Sequence, residues 1–258
     1  MLAFAVLLSM KEHPTWRLSE ASASLQSPLV CGEVDLKQPE RGLFNLRWRA
    51  QALADHEILG VALDANEAAA ESLADGYQRG ADLIATYAQT AHRPMRVQVY
   101  WRAAEAGALG VSIDLQLSVQ TNLLDSRPSL STVTRLPAGE ARRLVDAKSG
   151  EFETLEPTVA EPWALDSPAG PLCWLFRWPQ TGLSYVELAF PGDSHGDRLA
   201  ISEAGRLELT HRVLVESLEK GVILRTRVRG RYLPSERDEE LAAEAYREFV
   251  HSPPPLAT

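Results

Sequence analysis

The chain contains very little cysteine. Only Cys31 and Cys173 occur among its 258 residues, too few for a disulfide-rich secreted scaffold. Each lies inside an apolar, strand-like run, where a thiol behaves as a small buried hydrophobe. We therefore expect two reduced core thiols. The alternative is one bridge between strands that are distant in sequence.

Lysine is also scarce, with 4 lysines against 22 arginines. The 26 basic and 35 acidic residues give a net charge of −9, which repels a phosphate backbone. Nucleic acid is therefore not an expected partner. The arginines are informative in another way, because guanidinium groups bind planar partners in a bidentate manner that lysine cannot match.

Long hydrophobic runs are missing. No stretch approaches the roughly 20 apolar residues that span a bilayer, so we predict a soluble protein without a membrane partner. The apolar segment at residues 2–8 and the small residues at 21–23 resemble a signal peptide, but no positive residue precedes the apolar run. A first β-strand at 2–8 and a cytoplasmic location are favoured, and secretion is the alternative.

Alternation of apolar and polar residues dominates the sequence. It is clearest at residues 109–120, where apolar side chains take one face and polar side chains the other. Further predicted strands are 15–20, 29–36, 43–49, 57–63, 82–90, 96–102, 131–136, 173–178, 184–190, 206–215 and 222–232. So many strands with few helices between them favour an all-β fold of antiparallel sheets packed face to face.

One helix is well signalled, at about residues 236–250. Ser235 is its predicted cap, with Asp238 three residues later, and an apolar stripe follows. Weaker helices are predicted at 67–75 and 139–147. Residues 157–171 hold four prolines and predict a long loop containing Trp163. We expect a single β-sandwich domain over 1–251 and a frayed, proline-rich tail at 252–258.

The number and length of the predicted strands resemble the galactose-mutarotase-like supersandwich. This resemblance implies a large, mainly antiparallel β-sandwich with a C-terminal helix, a layout shared by sugar epimerases and by domains of polysaccharide-processing enzymes. The catalytic histidine and glutamate motifs of that family have no match here. No residue role is therefore carried over.

Arginine alternates along one predicted strand, as Arg225, Arg227, Arg229 and Arg231. Their side chains share one face and need acidic or aromatic neighbours on adjacent strands. One interpretation is a solvated outer sheet laced with salt bridges. The other is a concave polar face that binds a polyhydroxylated or anionic sugar, with these candidate residues: Arg47, Arg49, Arg96, Gln98, Tyr100, Arg102, Asp114, Gln116, Trp163, Arg225, Arg227 and Arg229.

Other motifs suggest chemistry more weakly. Residues 192–194 read Gly-Asp-Ser and resemble the first block of GDS-type serine hydrolases, with Ser194 at the nucleophile position. The Asp-x-x-His pair of that family does not follow, so a turn is favoured. The acidic loop at 193–197 lacks the length of a calcium loop and also predicts a turn. His211 alternates with apolar residues along a predicted strand. We therefore expect it to be a core histidine whose hydrogen bonds are satisfied within the protein.

Carboxylates two residues apart on one strand are candidates for general acid–base catalysis of glycosidic bond cleavage. They are Glu33 with Asp35, and Glu151 with Glu153. Any polar strand face has this spacing, so a structural role is favoured.

Two functions follow from the sequence. The first is carbohydrate binding or sugar modification on the polar face, with no cofactor or metal required. The second is a non-catalytic structural or protein-interaction role, since no complete catalytic constellation is visible. The position of Trp163 distinguishes the two functions. If Trp163 lies over the arginine-rich face, the two form a ligand cleft; if it packs elsewhere, the face is simply solvated.

Overall fold

Antiparallel strands make up most of the chain. The structure is a computed structural model that describes residues 14–63, 69–105, 111–159, 161–165 and 170–253. Within these residues the strands are β1 (Thr15–Ser19), β2 (Ser22–Gln26), β3 (Val30–Asp35), β4 (Phe44–Trp48), β5 (Gln51–Ala52), β6 (Glu57–Ala62), β7 (Leu73–Arg79), β8 (Asp82–Tyr87), β9 (Arg96–Glu105), β10 (Val111–Gln120), β11 (Leu130–Leu136), β12 (Glu140–Asp146), β13 (Glu151–Leu155), β14 (Trp163–Leu165), β15 (Cys173–Trp178), β16 (Leu183–Ala189), β17 (Ser194–Ile201), β18 (Leu207–Val213) and β19 (Ile223–Pro234). The helices are α1 (Ala69–Ser72) and α2 (Asp238–His251).

The strands form one large sheet and two smaller ones. The large sheet has nine strands in the order β13-β12-β15-β16-β19-β10-β9-β8-β7. One five-stranded sheet has the order β1-β2-β3-β4-β5, and the other has the order β14-β17-β18-β11-β6. The strand pairs within them are antiparallel, as in β9, β10 and β19 at the centre of the large sheet.

The main core lies between the large sheet and the two smaller sheets. Trp101 of the large sheet donates its indole N–H to the carbonyl of Leu59 at 3.0 Å. Trp16, from the other small sheet, donates to the carbonyl of Ala81 at 3.1 Å. Both indoles are fully buried, and burying a large apolar side chain contributes roughly 1.5–3 kcal/mol. We call this covered side of the large sheet its inner face.

Helix α2 packs on the opposite, outer face of the large sheet. Its apolar side chains form a second buried cluster with residues from β12, β13, β15, β16 and β19, among them Cys173, Val186 and Leu188. At the start of the helix, Arg177 binds both carboxylate oxygens of Asp238, at 2.8 and 2.5 Å. A buried ion pair and an apolar stripe therefore fix α2 to the sheet.

The predicted helix ends need correction. Ser235 is not the cap, because its amide continues the backbone pairing of β19 by donating to the carbonyl of Gly182. The helix begins at Asp238, after Arg237 in a left-handed conformation and without a side-chain cap. Of the weak helix predicted at 67–75, residues 67–68 lie outside the described part, and the rest contains only the short α1, since β7 begins at Leu73.

Residues 139–147 are a strand, β12, and not a helix. Ala141 belongs to the main core, whereas Leu144 belongs to the cluster beneath α2. Both faces of the sheet are covered here, so apolar residues three apart point to opposite sides. The same spacing is typical of a helix, which explains the wrong prediction.

The two cysteines are free. Cys31 lies in a small sheet, and Cys173 lies beneath α2 on the outer face of the large sheet. The alternative of a bridge between them is therefore wrong.

The proline-rich segment 157–171 is not wholly irregular. β14 pairs with β17, and residues 160 and 166–169 lie outside the described part. The predicted strand at 2–8 and tail residues 254–258 also lie outside it. In the part of the chain that is described, neither helix is long and apolar enough to cross a membrane.

Candidate functional site

Nine of the twelve predicted binding residues lie together on the outer face of the large sheet. Strand pairing places Asp114 opposite both Arg102 and Arg229, and Gln116 opposite both Tyr100 and Arg227. The nine residues are Arg96, Gln98, Tyr100, Arg102, Asp114, Gln116, Arg225, Arg227 and Arg229.

The other three predicted residues lie elsewhere, which corrects the proposed single surface. Arg47 is in β4 and Arg49 follows it, and β4 pairs with β3 and β5 and not with the large sheet. Trp163 packs edge-on against Trp174, with ring centroids 5.0 Å apart, on the inner side. Trp163 does not overhang the arginines, so its position favours a solvated face laced with salt bridges.

Several of the aligned arginines are engaged within the protein. Arg227 donates to the carbonyls of Phe249, at 2.9 Å, and Ser252, at 2.9 Å, where α2 ends. A cation at this end is favourable because the helix dipole is negative there. Arg229 binds both carboxylate oxygens of Asp114, at 2.5 and 2.9 Å. The row thus holds α2 and neighbouring strands in place, and saccharide binding at this face stays a prediction.

The weaker motifs have structural roles. Residues 191–193 form a turn, but β17 begins at Ser194, so the turn predicted over 193–197 is mostly strand. The hydroxyl of Ser194 is buried and donates to Asp197 at 2.8 Å. Of the paired carboxylates, Glu33 accepts a hydrogen bond from Asn45 at 2.8 Å, and Glu153 accepts one from Arg143 at 2.8 Å.

A buried polar cluster lies between β16 of the large sheet and β17 and β18 of a small sheet. His211 contacts Asp197 through Nδ1 at 2.9 Å and Glu187 through Nε2 at 3.1 Å. Burial opposes the charged imidazolium, but the two carboxylates outweigh it and raise the pKa of His211 to about 10. Thr134 and Tyr185 each donate to Glu187 at 2.6 Å. The prediction of a satisfied core histidine is confirmed.

A cavity of about 350 Å³ opens beside the β4–β5 hairpin. It is lined by Arg41, by residues 44–47 and 52–57, and by Arg206, and we call it the hairpin pocket. Its volume lies at the lower end of the roughly 300–1,000 Å³ that is usual for small-molecule sites. The lining mixes guanidinium, carboxylate, amide and imidazole groups with the ring of Phe44.

Glu57 is the carboxylate that joins two arginines of this pocket. It pairs with Arg41 at 3.1 Å and with Arg206 at 3.6 Å. Arg206 is held further by the carbonyl of Asp55 at 2.7 Å. Each of these charged groups is therefore oriented before any ligand arrives, which reduces the ordering cost of binding.

His56 forms an inner wall of the pocket. Its Nδ1 lies 3.0 Å from the hydroxyl of Tyr232, and its ring packs on Trp178 with centroids 4.6 Å apart. Burial and, to a smaller extent, the nearby charge of Arg206 together lower the pKa of His56 to about 4, against the opposing charge of Asp55. The imidazole is therefore neutral at pH 7, and when Tyr232 donates to Nδ1 the ring proton is on Nε2.

Aromatic side chains connect His56 to the buried cluster. The rings of Tyr232 and Tyr185 are 5.1 Å apart, and Tyr185 donates to Glu187. Gly230 allows this arrangement, because a Cβ there would lie 2.4 Å from the Tyr185 hydroxyl. The wall of the pocket is thus backed by the fully buried carboxylate of Glu187.

The backbone around the pocket includes two residues in left-handed conformations. Asn45 has φ 50° and Asp55 has φ 61°. Asn and Asp tolerate this region better than other L-residues do. Both residues lie in the lining of the pocket.

The sequence predicted only one residue of the hairpin pocket, Arg47. It missed Arg41, His56, Glu57 and Arg206, which come from three separate segments. A local signal existed at residues 55–57, where three titratable side chains directly precede an apolar strand. Nothing in the sequence pattern places Arg206 beside them.

Comparison with known proteins identifies the fold. No protein-family model matches the chain, and no curated protein matches its sequence. Its structure is similar to a putative aldose 1-epimerase from Klebsiella pneumoniae, with a TM-score of 0.56 and 7% identity over 92% of this chain and 87% of that one. It is also similar to a putative aldose 1-epimerase from Escherichia coli K12, with a TM-score of 0.53 and 9% identity over 86% and 99% of the two chains.

A third similar structure is the Slr1438 protein from Synechocystis sp. PCC 6803. The TM-score is 0.55, and the identity is 11% over 84% of this chain and 99% of that one. These likenesses confirm the predicted fold class, a mainly antiparallel β-sandwich of the galactose-mutarotase-like kind with a C-terminal helix. At such low identity they concern the fold alone.

Proposed function

We propose that this protein binds a sugar in the hairpin pocket. The observation that carries the proposal is the pocket itself, which gathers oriented polar groups of several kinds around one cavity on a fold shared with putative aldose 1-epimerases. The outer face of the large sheet offers more arginines, but many of their hydrogen bonds are already used within the protein. We therefore favour the pocket over the outer face as the sugar-binding site.

The chemistry of the lining suits a polyhydroxylated ligand. Sugar hydroxyls both donate and accept, and they are recognised by fixed groups that do the same. Glu57 accepts, Arg41 and Arg206 donate, and neutral His56 can donate through Nε2, because its Nδ1 accepts from Tyr232. Phe44 adds an apolar surface for the C–H side of a sugar ring.

The first prediction concerns His56. Replacing His56→Phe keeps an aromatic ring against Trp178 but removes both nitrogen atoms, so we expect monosaccharide affinity to fall about tenfold or more. A good polar contact that is left unmatched costs about 1–3 kcal/mol. Titration calorimetry with millimolar neutral monosaccharides and uronates measures the change, and circular dichroism checks the fold.

His92→Phe is the matched control, because His92 is exposed and does not line the pocket. It should bind like the wild type. Equal binding by the His56→Phe variant would refute the pocket assignment, and absence of binding to every saccharide tested would refute the proposed function.

The outer face of the large sheet is the second candidate for a saccharide site. Gln98, Tyr100 and Arg102 are partly exposed side by side on β9, and Arg102 is fixed by Asp82 at 2.5 and 2.9 Å. Their amide, phenol and guanidinium groups are suited to sugar hydroxyls. This observation keeps the sequence-based assignment open to test.

The second prediction separates the two sites. If the hairpin pocket binds the sugar, Arg102→Ala should leave the dissociation constant within about twofold of wild type, because Arg102 lies on the other side of the large sheet. Loss of binding in Arg102→Ala with retention in His56→Phe would transfer the function to the outer face. The same calorimetric titration reports both results.

A further inference from the structure

The hairpin pocket contains one arginine that has no partner in the described part of the chain. Arg47 lies on β4, is exposed, and lines the cavity. Among the residues that the structure describes, its guanidinium makes no hydrogen bond, ion pair or ring contact. This differs from the other two arginines of the pocket, which are shared with Glu57 at 3.1 and 3.6 Å.

Several arginines on the outer face of the large sheet, which the sequence predicted as a binding face, already have partners within the protein. Arg102 is neutralised by Asp82, Arg229 by Asp114, and Arg227 is enclosed by the end of α2. Their fork-shaped donors are already occupied. Arg47 differs from them because it is exposed and its guanidinium has no partner among the described residues.

The charged side chains that line the pocket carry an excess of positive charge. Three guanidinium groups line it against the carboxylates of Asp55 and Glu57, and His56 is neutral at pH 7. Burial and the positive charge of Arg206 keep the proton off His56, against the opposing effect of Asp55. A neutral sugar would leave this excess charge unmatched.

We propose that the ligand of the hairpin pocket is an anionic sugar, one that carries a carboxylate or a phosphate, and that its acidic group pairs with Arg47. This inference rests on the proposed function. A guanidinium group binds either anion through two parallel N–H donors. The sugar ring would then lie towards His56 and Glu57, deeper in the cavity.

The third prediction tests this pairing with four ligands: glucose, glucuronate, glucose 6-phosphate and inorganic phosphate. We expect at least one acidic sugar to bind about three- to tenfold more tightly than glucose at low salt, as an exposed but charge-assisted contact allows. The advantage should shrink as sodium chloride rises from about 20 to 300 mM, because ions screen the exposed charges. Comparison of glucuronate with glucose 6-phosphate identifies the acidic group.

Arg47→Gln should abolish the preference, so that the ratio of the dissociation constants for glucose and the acidic sugar falls to about one. Arg49→Gln is the matched control, since Arg49 is an exposed arginine close by that does not line the pocket, and it should keep the preference. Arg47→Lys should retain only part of it, because lysine presents a point charge in place of a planar fork.

The outcomes separate the two proposals. If glucose binds as tightly as the acidic sugars and Arg47→Gln changes neither, the anionic ligand is refuted while sugar binding stands. If inorganic phosphate binds but no sugar does, or if nothing binds, the proposed function fails and the inference fails with it.

Discussion

Replacing His211→Leu should lower the free energy of unfolding by about 3–5 kcal/mol, the usual cost of removing one partner from a buried ionic group. His211 is completely buried between Glu187 and Asp197, with contacts of 3.1 and 2.9 Å. Leucine has a similar volume, so the loss comes from two carboxylates that no longer face a cation. Urea denaturation measured by circular dichroism gives the value.

The same histidine predicts a pH dependence of stability. Its pKa is raised to about 10 in the folded state, against about 6.5 for an unperturbed histidine. The folded protein therefore holds a proton that the unfolded chain has lost between these values. The stabilisation is complete below about pH 6.5 and is lost as the pH rises towards 10.

His211→Leu should show a flatter profile over this range. His92→Leu, which changes an exposed histidine, should stay within about 0.5 kcal/mol of wild type. A loss below about 1 kcal/mol in His211→Leu would mean that the cluster is not an ionic group in the folded protein.

Much of the sheet architecture could be predicted from the sequence, because covered faces impose period-two alternation. Residues 109–120 predicted a strand with Leu115 on one face and Asp114 on the other, and β10 has that arrangement. Prediction failed for β12, where both faces of the sheet are covered and the alternation disappears. It also failed for the start of α2, which has no side-chain cap and is held to the sheet by the ion pair between Asp238 and Arg177 of a distant strand.

The sites were less predictable than the sheets because their parts meet only in three dimensions. Alternation indicated that His211 points inward, but not that Glu187 and Asp197 meet it from other strands. It also indicated that four arginines share a face, but not that the end of α2 covers Arg227. The hairpin pocket depends on Arg206 reaching residues 55–57, which lie about 150 positions earlier in the chain.

Replacing Phe249→Ala in α2 should destabilise the protein by about 3–5 kcal/mol, the range for deleting a fully buried phenylalanine. The Phe249 ring is completely buried beneath the helix. The guanidinium carbons of Arg227 and Arg229 lie 4.5 and 5.2 Å from its centre, so cation–π contacts are lost together with apolar burial. Thermal and urea denaturation of the purified variant measure the loss.

Glu244→Ala is the matched control, because Glu244 is exposed on the same helix and should change stability by no more than about 0.5 kcal/mol. Phe249→Leu should fall between the two, since leucine fills part of the space but offers no aromatic face to the arginines. If Phe249→Ala were as stable as Glu244→Ala, α2 would contribute little to the fold. The contacts of Arg227 with the end of the helix would then add little to the stability of the fold.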